Sequence, residues 1–172
     1  MEEIFALRAL KITDAPLMLE WMHDESVTEN LRSNFSDKTI EECHHFIEQS
    51  QNSYSDLHLA IVNQYDEYLG TVSLKNIIIN SAEFAITIRK KAMGTGCSIF
   101  AMQKMIEKGL NEFKLHEVYW CVSPANIRAL RFYDKNGYKH VDFSRLLINV
   151  CKSLLTYSEQ ERKEYVWYHV FK

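Results

Sequence analysis

Gly94 and Gly96 stand one residue apart in the segment Met93-Gly94-Thr95-Gly96-Cys97-Ser98, in a chain with only five glycines. Glycine tolerates positive φ and lets a backbone come close to a ligand. Before this segment, Phe84, Ile86 and Ile88 alternate with Glu83, Ala85 and Thr87, the period of a strand. After it, Ile99, Met102, Ile106, Leu110 and Phe113 recur at helical spacing. Strand, glycine loop and helix start together make an anion site, because the first helical amides lack partners and the dipole places positive charge there. A phosphate or pyrophosphate is the natural guest. By itself the spacing also serves a plain strand-to-helix connection. No Gly-Lys-Ser/Thr follows the loop, and the three-glycine dinucleotide fingerprint is absent. The guest is therefore a phosphate bound by backbone amides, with neither a lysine nor a Mg²⁺ site.

Local patterns along the chain supply elements to hold this loop. Residues 4–10 read as a first strand; Thr13 offers a helix N-cap, with Pro16 early in the helix behind it. Leu17, Leu19, Trp21 and Met22 form that helix's apolar stripe. A second helix is predicted from Asp37 or Lys38 to Ser50, with Ile40, Cys43, His44 and Ile47 on one face. Strands are predicted over residues 58–63, 68–76, 81–88, 117–123, 138–143 and 165–171. Pro124 opens a helix that runs to about Lys135 and stops at Asn136-Gly137. Residues 144–163 carry no clear period. The order implies a mixed α/β layer fold with central strands.

Bulk properties bound the function. A length of 172 residues fits one domain, 1–172. The apolar share of 47% and charged share of 25% are ordinary for a globular protein. A net charge of −3 argues against a sequence-independent nucleic-acid binder. Cys43, Cys97, Cys121 and Cys151 form no C-x-x-C pair, which disfavours zinc and redox motifs. The acidic start Met1-Glu2-Glu3 has no long apolar run behind it, so neither a signal peptide nor a transmembrane helix is expected. The expectation is a cytoplasmic protein with reduced thiols, no membrane partner, and a monomeric or homodimeric state.

Residues 81–139 resemble the acyl-CoA-binding core of the GNAT superfamily of N-acetyltransferases. The family's loop pattern, Arg/Gln-x-x-Gly-x-Gly/Ala, falls with Met93 at its first position, Gly96 at the first glycine and Ser98 at the last position. Met93 departs from the pattern and Ser98 is conservative. The block Asn126-Ile127-Arg128-Ala129-Leu130-Arg131-Phe132-Tyr133-Asp134-Lys135-Asn136-Gly137-Tyr138 is similar to the family's Asn-x-x-Ala-x-x-x-Tyr-x-x-x-Gly-Phe/Tyr, with every fixed position filled. Leu7-Arg8-Ala9-Leu10, Thr13-Asp14-Ala15 and Leu19-Glu20-Trp21 are similar to the branch that includes ribosomal-protein N-terminal acetyltransferases. Gly70-Thr71-Val72 and Ala82-Glu83-Phe84 fit the same branch.

The resemblance implies one α/β GNAT domain: a mixed central sheet of about six to seven strands, flanked by helices and splayed between two central parallel strands. It implies an acetyl-CoA-dependent N-acetyltransferase that transfers an acetyl group directly to a primary amine, without metal. Backbone amides of Gly94, Thr95, Gly96, Cys97 and Ser98 would hold the pyrophosphate, beside Met93. The strand of Ile86, Thr87 and Ile88 would pair with the pantetheine arm. Asn126 would hydrogen-bond that arm or a nearby water, or else serve as a local cap. Glu83, ten positions before Met93, falls where the family carries a strand-borne glutamate. It is either the base that deprotonates the amine or a solvated strand residue. Tyr133 falls on the general-acid position; helix spacing alone would equally suit a core tyrosine with its hydroxyl satisfied.

Other residues read more plainly. His44-His45 is a helix-surface pair rather than a metal site. Cys97 has no histidine placed by sequence to make it a covalent nucleophile. Tyr165, Trp167, Tyr168 and Phe171 read as strand packing. The acceptor is either a protein N-terminus or a small amine such as an amino sugar, polyamine or antibiotic, with its contacts expected from the helices around Trp21 to Arg32, from Lys75-Asn76 and from the tail after Phe143. The alternatives are a CoA-binding regulatory module without turnover, for which Met93 is the support, and a nucleotide-binding domain.

Overall fold

Strands β1 (Phe5–Ala9), β2 (Leu57–Asn63), β3 (Tyr68–Ile78), β4 (Ser81–Ile88), β5 (Glu117–Val122), β6 (Lys139–His140) and β7 (Val166–Phe171) form one sheet. Their order is β1-β2-β3-β4-β5-β7-β6, in a computed structural model that describes residues 4–78, 80–149 and 156–172. Every neighbouring pair is antiparallel except β4–β5. That parallel pair needs a crossover. Helix α4 (Cys97–Asn111) supplies it.

The parallel pairing is short. Ser81 faces Glu117, Ala82 faces Val118 and Glu83 faces Tyr119, and there it stops. Beyond Glu83, β4 stays paired to β3 as far as Ile88, and β5 stays paired to β7 as far as Val122. Each strand follows its outer neighbour, so the sheet splays open with Glu83 at the closed end of the gap. The expected seven-strand mixed sheet and its splay are both present.

Two layers cover the sheet. On one side α4 buries Ala101, Met102, Met105 and Ile106 against Leu74, Phe84 and Val118. Gly109 lets α4 lie close, since a Cβ there would sit 3.2 Å from both Leu74 Cδ1 and Val118 Cγ2. On the other side lie α1 (Ala15–Met22) and α3 (Ile40–Ser50), whose Met18, Trp21, Met22, Cys43 and Ile47 pack over Ala60, Val62 and Tyr68. Trp120 lies stacked on Tyr168 at 5.5 Å beside the splay.

Several local expectations are corrected. Thr13 caps nothing; it lies inside a 3₁₀ turn, Ile12–Asp14, where the Asp14 carboxylate accepts from the Lys11 amide at 2.8 Å. The buried stripe of α1 is Ala15, Met18, Trp21 and Met22, with Leu17 and Leu19 only half-buried on its flanks. A short α2 (Glu25–Thr28), capped by Asp24, follows α1 and has too few residues to show a period. Helix α3 begins two or three residues later than expected because Thr39 and Glu42 form a capping box. Helix α5 (Ile127–Lys135) begins after Asn126, which caps it, so Asn126 precedes the helical face of Leu130 and Tyr133 rather than sharing it. The strand predicted over 138–143 shortens to β6, an edge strand that leads into a 3₁₀ turn at Phe143–Arg145.

The tail contributes α6 (Glu159–Glu164), capped by Ser158 and Glu161, and then β7. Strand β7 inserts between β5 and β6. Part of the patternless stretch 144–163 and Cys151 lie outside the described residues. Among the described residues no helix is long and apolar enough to cross a membrane.

Candidate active site

A continuous cleft follows the splay. Its inner part, about 260 Å³, is lined by Glu83, Ala85, Trp120, Cys121, Tyr133 and Tyr157, among others. Its outer part, about 210 Å³, reaches the glycine loop at Met93, Gly94 and Ser98. Ile86, Thr87, Asn126 and Tyr133 line both parts and make them one passage.

The loop is built as an anion cradle. Gly94 and Gly96 take φ of +81° and +95°, which L side chains rarely adopt. An added Cβ would meet nothing within 4 Å at either, so the approach to the backbone is open. Among the described residues the amides of Gly94, Gly96 and Ser98 make no hydrogen bond. The first helical bond comes only at Phe100, which donates to Gly96 O at 3.2 Å. Thr95 is tied down through Oγ1 to Ala92 O at 2.8 Å. Cys97 turns its thiol into the core, toward Ala92 O at 3.5 Å, so its backbone faces the loop while its sulfur does not. Thr95, Gly96 and Cys97 do not line the cleft itself. Arg128 does, with Nη1 3.1 Å from the Met93 sulfur, so a guanidinium rests on the side chain that replaces the family's Arg/Gln.

Glu83 is buried, with 5% of its surface exposed, so it is not a solvated strand residue. Tyr157 Oη donates to Glu83 Oε1 at 2.5 Å, and Lys75 Nζ stands 3.6 Å from the same oxygen. Burial, and then the Glu83 charge, push the Tyr157 phenol well above its ordinary value, so it stays a donor at neutral pH. Burial also pushes the Cys121 thiol in the same cleft up to about 12, which leaves it unreactive.

Tyr157 is itself clamped. The Arg32 guanidinium lies over its ring at 4.5 Å. Arg32 also reaches Glu161 at 2.6 Å and the Thr156 carbonyl. With Arg32 beside it, the Glu161 carboxyl falls to about 2. The tail is thereby fastened across the inner part of the cleft to the loop between α2 and α3.

Tyr133 is buried at 7% exposure among Trp120, Phe132, Tyr138 and Tyr168. Its hydroxyl has no hydrogen-bond partner among the described residues, although it lines both parts of the cleft. Burial raises this phenol too, so it is fully protonated at neutral pH. A proton-bearing hydroxyl that opens on the cleft from a buried ring, without a partner, suits donation to a group that arrives with a ligand.

Asn126 Oδ1 accepts from the Ala129 amide at 3.1 Å and is committed to capping α5. Its Nδ2 remains for the cleft. The structure thus brings Glu83, Ile86, Thr87, Asn126 and Tyr133 together, with Ile88, Met93, Gly94 and Ser98 at the outer end. Arg32 and Tyr157 fall in segments expected to supply acceptor contacts, but sequence patterns single out neither of them, nor Arg128, because none sits in a periodic run. His44 and His45 stay on the outside of α3, half-buried and exposed.

This loop, splay and pair of strand and helix side chains are the features of one enzyme family. A profile described as an acetyltransferase (GNAT) domain matches residues 5–139. The chain belongs to that family, and is an acyl-CoA N-acyltransferase.

Acetyltransferase PseH of Campylobacter jejuni subsp. jejuni serotype O:23/36 (strain 81-176) is 20% identical over 142 residues, covering 83% of this chain and 87% of that protein. Among solved structures, spermidine N-acetyltransferase from Vibrio cholerae in complex with CoA and spermine superposes with a TM-score of 0.75 at 16% identity, covering 97% of this chain and 95% of that one. A GNAT-family acetyltransferase from Bacillus anthracis gives 0.74 at 16% identity, covering 99% and 96%. At these identities the structures share the fold.

Proposed function

We propose that residues 1–172 form one N-acetyltransferase domain that moves an acetyl group from acetyl-CoA directly to a primary amine. The observation that carries this reading is the cleft itself, with a buried carboxylate at its closed end and an unpartnered buried phenol beside it. Acetyl-CoA supplies the acyl group activated as a thioester. Glu83 takes a proton from the acceptor's ammonium, which frees the nitrogen lone pair. As the C–N bond forms and the C–S bond breaks, Tyr133 gives its proton to the departing sulfur, and the second proton that the nitrogen sheds on becoming an amide restores the phenol. The amides of Gly94, Gly96 and Ser98, with the Arg128 guanidinium, hold the pyrophosphate. The backbone of Ile86, Thr87 and Ile88 offers an open strand edge to the pantetheine, and Asn126 Nδ2 reaches the same arm. No step calls for a metal.

A small amine is the acceptor this cleft favours, because the Arg32–Tyr157–Glu161 clamp narrows the acceptor side against a polypeptide end. The likeness to ribosomal-protein N-terminal acetyltransferases does not weigh against that. Arg8 and Asp14, two residues that carry it, are joined in a double ion pair at 2.8 Å that fastens β1 to the following turn, a structural use. Against the reading of a CoA-binding module without turnover stands Arg128, which brings a cation to the place where Met93 leaves none.

Acetyl-CoA should raise the melting temperature, and NAD and ATP should do so far less. Near saturation each tenfold rise in ligand adds about 1.4 kcal/mol. Equal stabilisation by ATP would overturn the CoA assignment, and release of free thiol with an amine panel tests turnover.

Gly96→Val should weaken CoA binding about tenfold or more while the fold survives. The new side chain meets open space, but φ of +95° is strained for valine and the cradle must re-bend. Normal CoA affinity in this variant would reduce the loop to a connection.

Tyr157→Phe should lower kcat about tenfold with CoA affinity retained, since Glu83 loses the donor that orients it. An unchanged kcat would leave Tyr157 a packing residue.

A further inference from the structure

A second chamber opens off the inner cleft, and the reaction as written does not use it. It encloses about 290 Å³ between the sheet and the two helices above it. Trp21 and Met22 of α1, Phe35 of the following loop, and Cys43 and Phe46 of α3 form its roof and sides. The strands supply its floor, where Lys75, Ala85, Ile86 and Thr87 are shared with the inner cleft, as is Phe35. Whatever enters it can therefore keep another part of the same molecule at Glu83.

Most polar groups in its walls already have partners. His58 Nδ1 and Ser73 Oγ are 2.7 Å apart. Thr71 Oγ1 lies 2.7 Å from Tyr68 Oη, which also accepts from Trp21 Nε1 at 3.1 Å. At the mouth, Lys38 holds the Glu42 carboxylate at 2.7 Å. Burial lowers the His58 pKa, so that ring is neutral at pH 7. The aromatic walls face each other: Trp21 meets Phe35 edge-on at 5.1 Å and Phe46 meets His58 at 4.8 Å. Among the described residues lining the chamber, the one carboxylate is that of Glu42, which sits at the mouth and is already held by Lys38.

A polyamine would have to bury a charged nitrogen against methionine and aromatic carbon, which is unfavourable without a partner. A ring of carbon gains there instead, and an apolar cavity of roughly 150 Å³ already holds a benzene-sized ligand.

We propose that this chamber is the acceptor subsite for an apolar, ring-sized body, so that the acceptor is a primary monoamine on a short arm from an aromatic or aliphatic ring. The assignment rests on the transfer reaction proposed above, and names its substrate class. It sets this chain apart from the spermidine N-acetyltransferases whose fold it shares.

Acetyl transfer from acetyl-CoA to phenethylamine, ethylamine and spermidine tests it. Burial of the ring should raise kcat/KM for phenethylamine over the other two by about 10- to 100-fold. Cys43→Met, which shrinks the chamber, should lower the phenethylamine-to-ethylamine ratio at least tenfold. Phe46→Ala, which widens it, should shift preference from phenethylamine toward the larger tryptamine, and decides the matter if Cys43→Met fails to fold.

Spermidine as the better acceptor, or a ratio that neither variant moves, overturns the proposal. So does a preference for hexanoyl-CoA over acetyl-CoA that Cys43→Met abolishes, because the chamber would then hold the acyl chain. Indole binding to the CoA-loaded protein, measured by calorimetry, needs no turnover. Binding that Cys43→Met removes supports the subsite even if no amine is acetylated, an outcome that sinks the reaction instead. Absence of indole binding overturns the subsite.

Discussion

Glu83→Gln is expected to lower kcat/KM about 10²-fold at neutral pH, the size of a lost general base. The substitution keeps the shape of the side chain. The amide oxygen can still accept from Tyr157 Oη, which now lies 2.5 Å from the carboxylate, so the clamp on the tail survives. Lys75, with over a third of its side chain exposed, can turn to water. What is lost is the group proposed to take the amine's proton. The loss should be greatest at low pH, where almost every acceptor is an ammonium. It should shrink as pH rises toward the amine's own pKa, about 10 for a simple alkylamine, because the nitrogen then arrives deprotonated. A wild-type profile in the variant would make Glu83 a structural anchor for Tyr157. Turnover in the wild type with that unchanged profile would also separate failure of this role from failure of the acceptor subsite, since the ring preference does not depend on the base.

Tyr133→Phe should lower kcat by about 10²-fold with little change in CoA affinity. The variant removes one oxygen, and that oxygen has no partner among the described residues, so folding loses no hydrogen bond. The ring keeps its packing against Trp120 at 5.3 Å and Tyr168 at 5.2 Å. Melting temperature should therefore stay near that of the wild type while turnover collapses. Few tyrosines with buried rings behave this way, because the hydroxyl normally finds a partner in the fold. Full activity would mean that the departing sulfur takes its proton from water, and that the resemblance carries over a role this protein does not use.

The two variants also show how unevenly the site was legible. Glu83 and Tyr133 are singled out because the GNAT resemblance places them, one on an alternating strand and the other in a motif-bearing helix; strand or helix period alone would not do so. Their surroundings are not. A strand glutamate reads as solvated until the tail covers it. Asn126 reads equally as a cleft residue or a local cap until its side-chain carbonyl is seen to cap α5.

What the sequence determined by itself is what local physics governs. The period of two over β4, two glycines able to take positive φ, and the apolar repeat of α4 specify a strand, a turn and a helix start wherever they occur. Together with the Asn126–Tyr133 block they carried the family and the place of the anion cradle.

The tertiary structure alone decided which distant side chains meet. Tyr157 reaches Glu83 across 74 positions, and Arg32 reaches Glu161 across 129. These contacts exist because β7 inserts beside β5 and draws the tail over the cleft, while the splay of β4 from β5 opens the space beneath. The apolar side chamber likewise belongs to no single segment. It is the space left where α1 and α3, each folded on its own pattern, come to rest on the sheet, and short-range periodicity carries no information about such a gap.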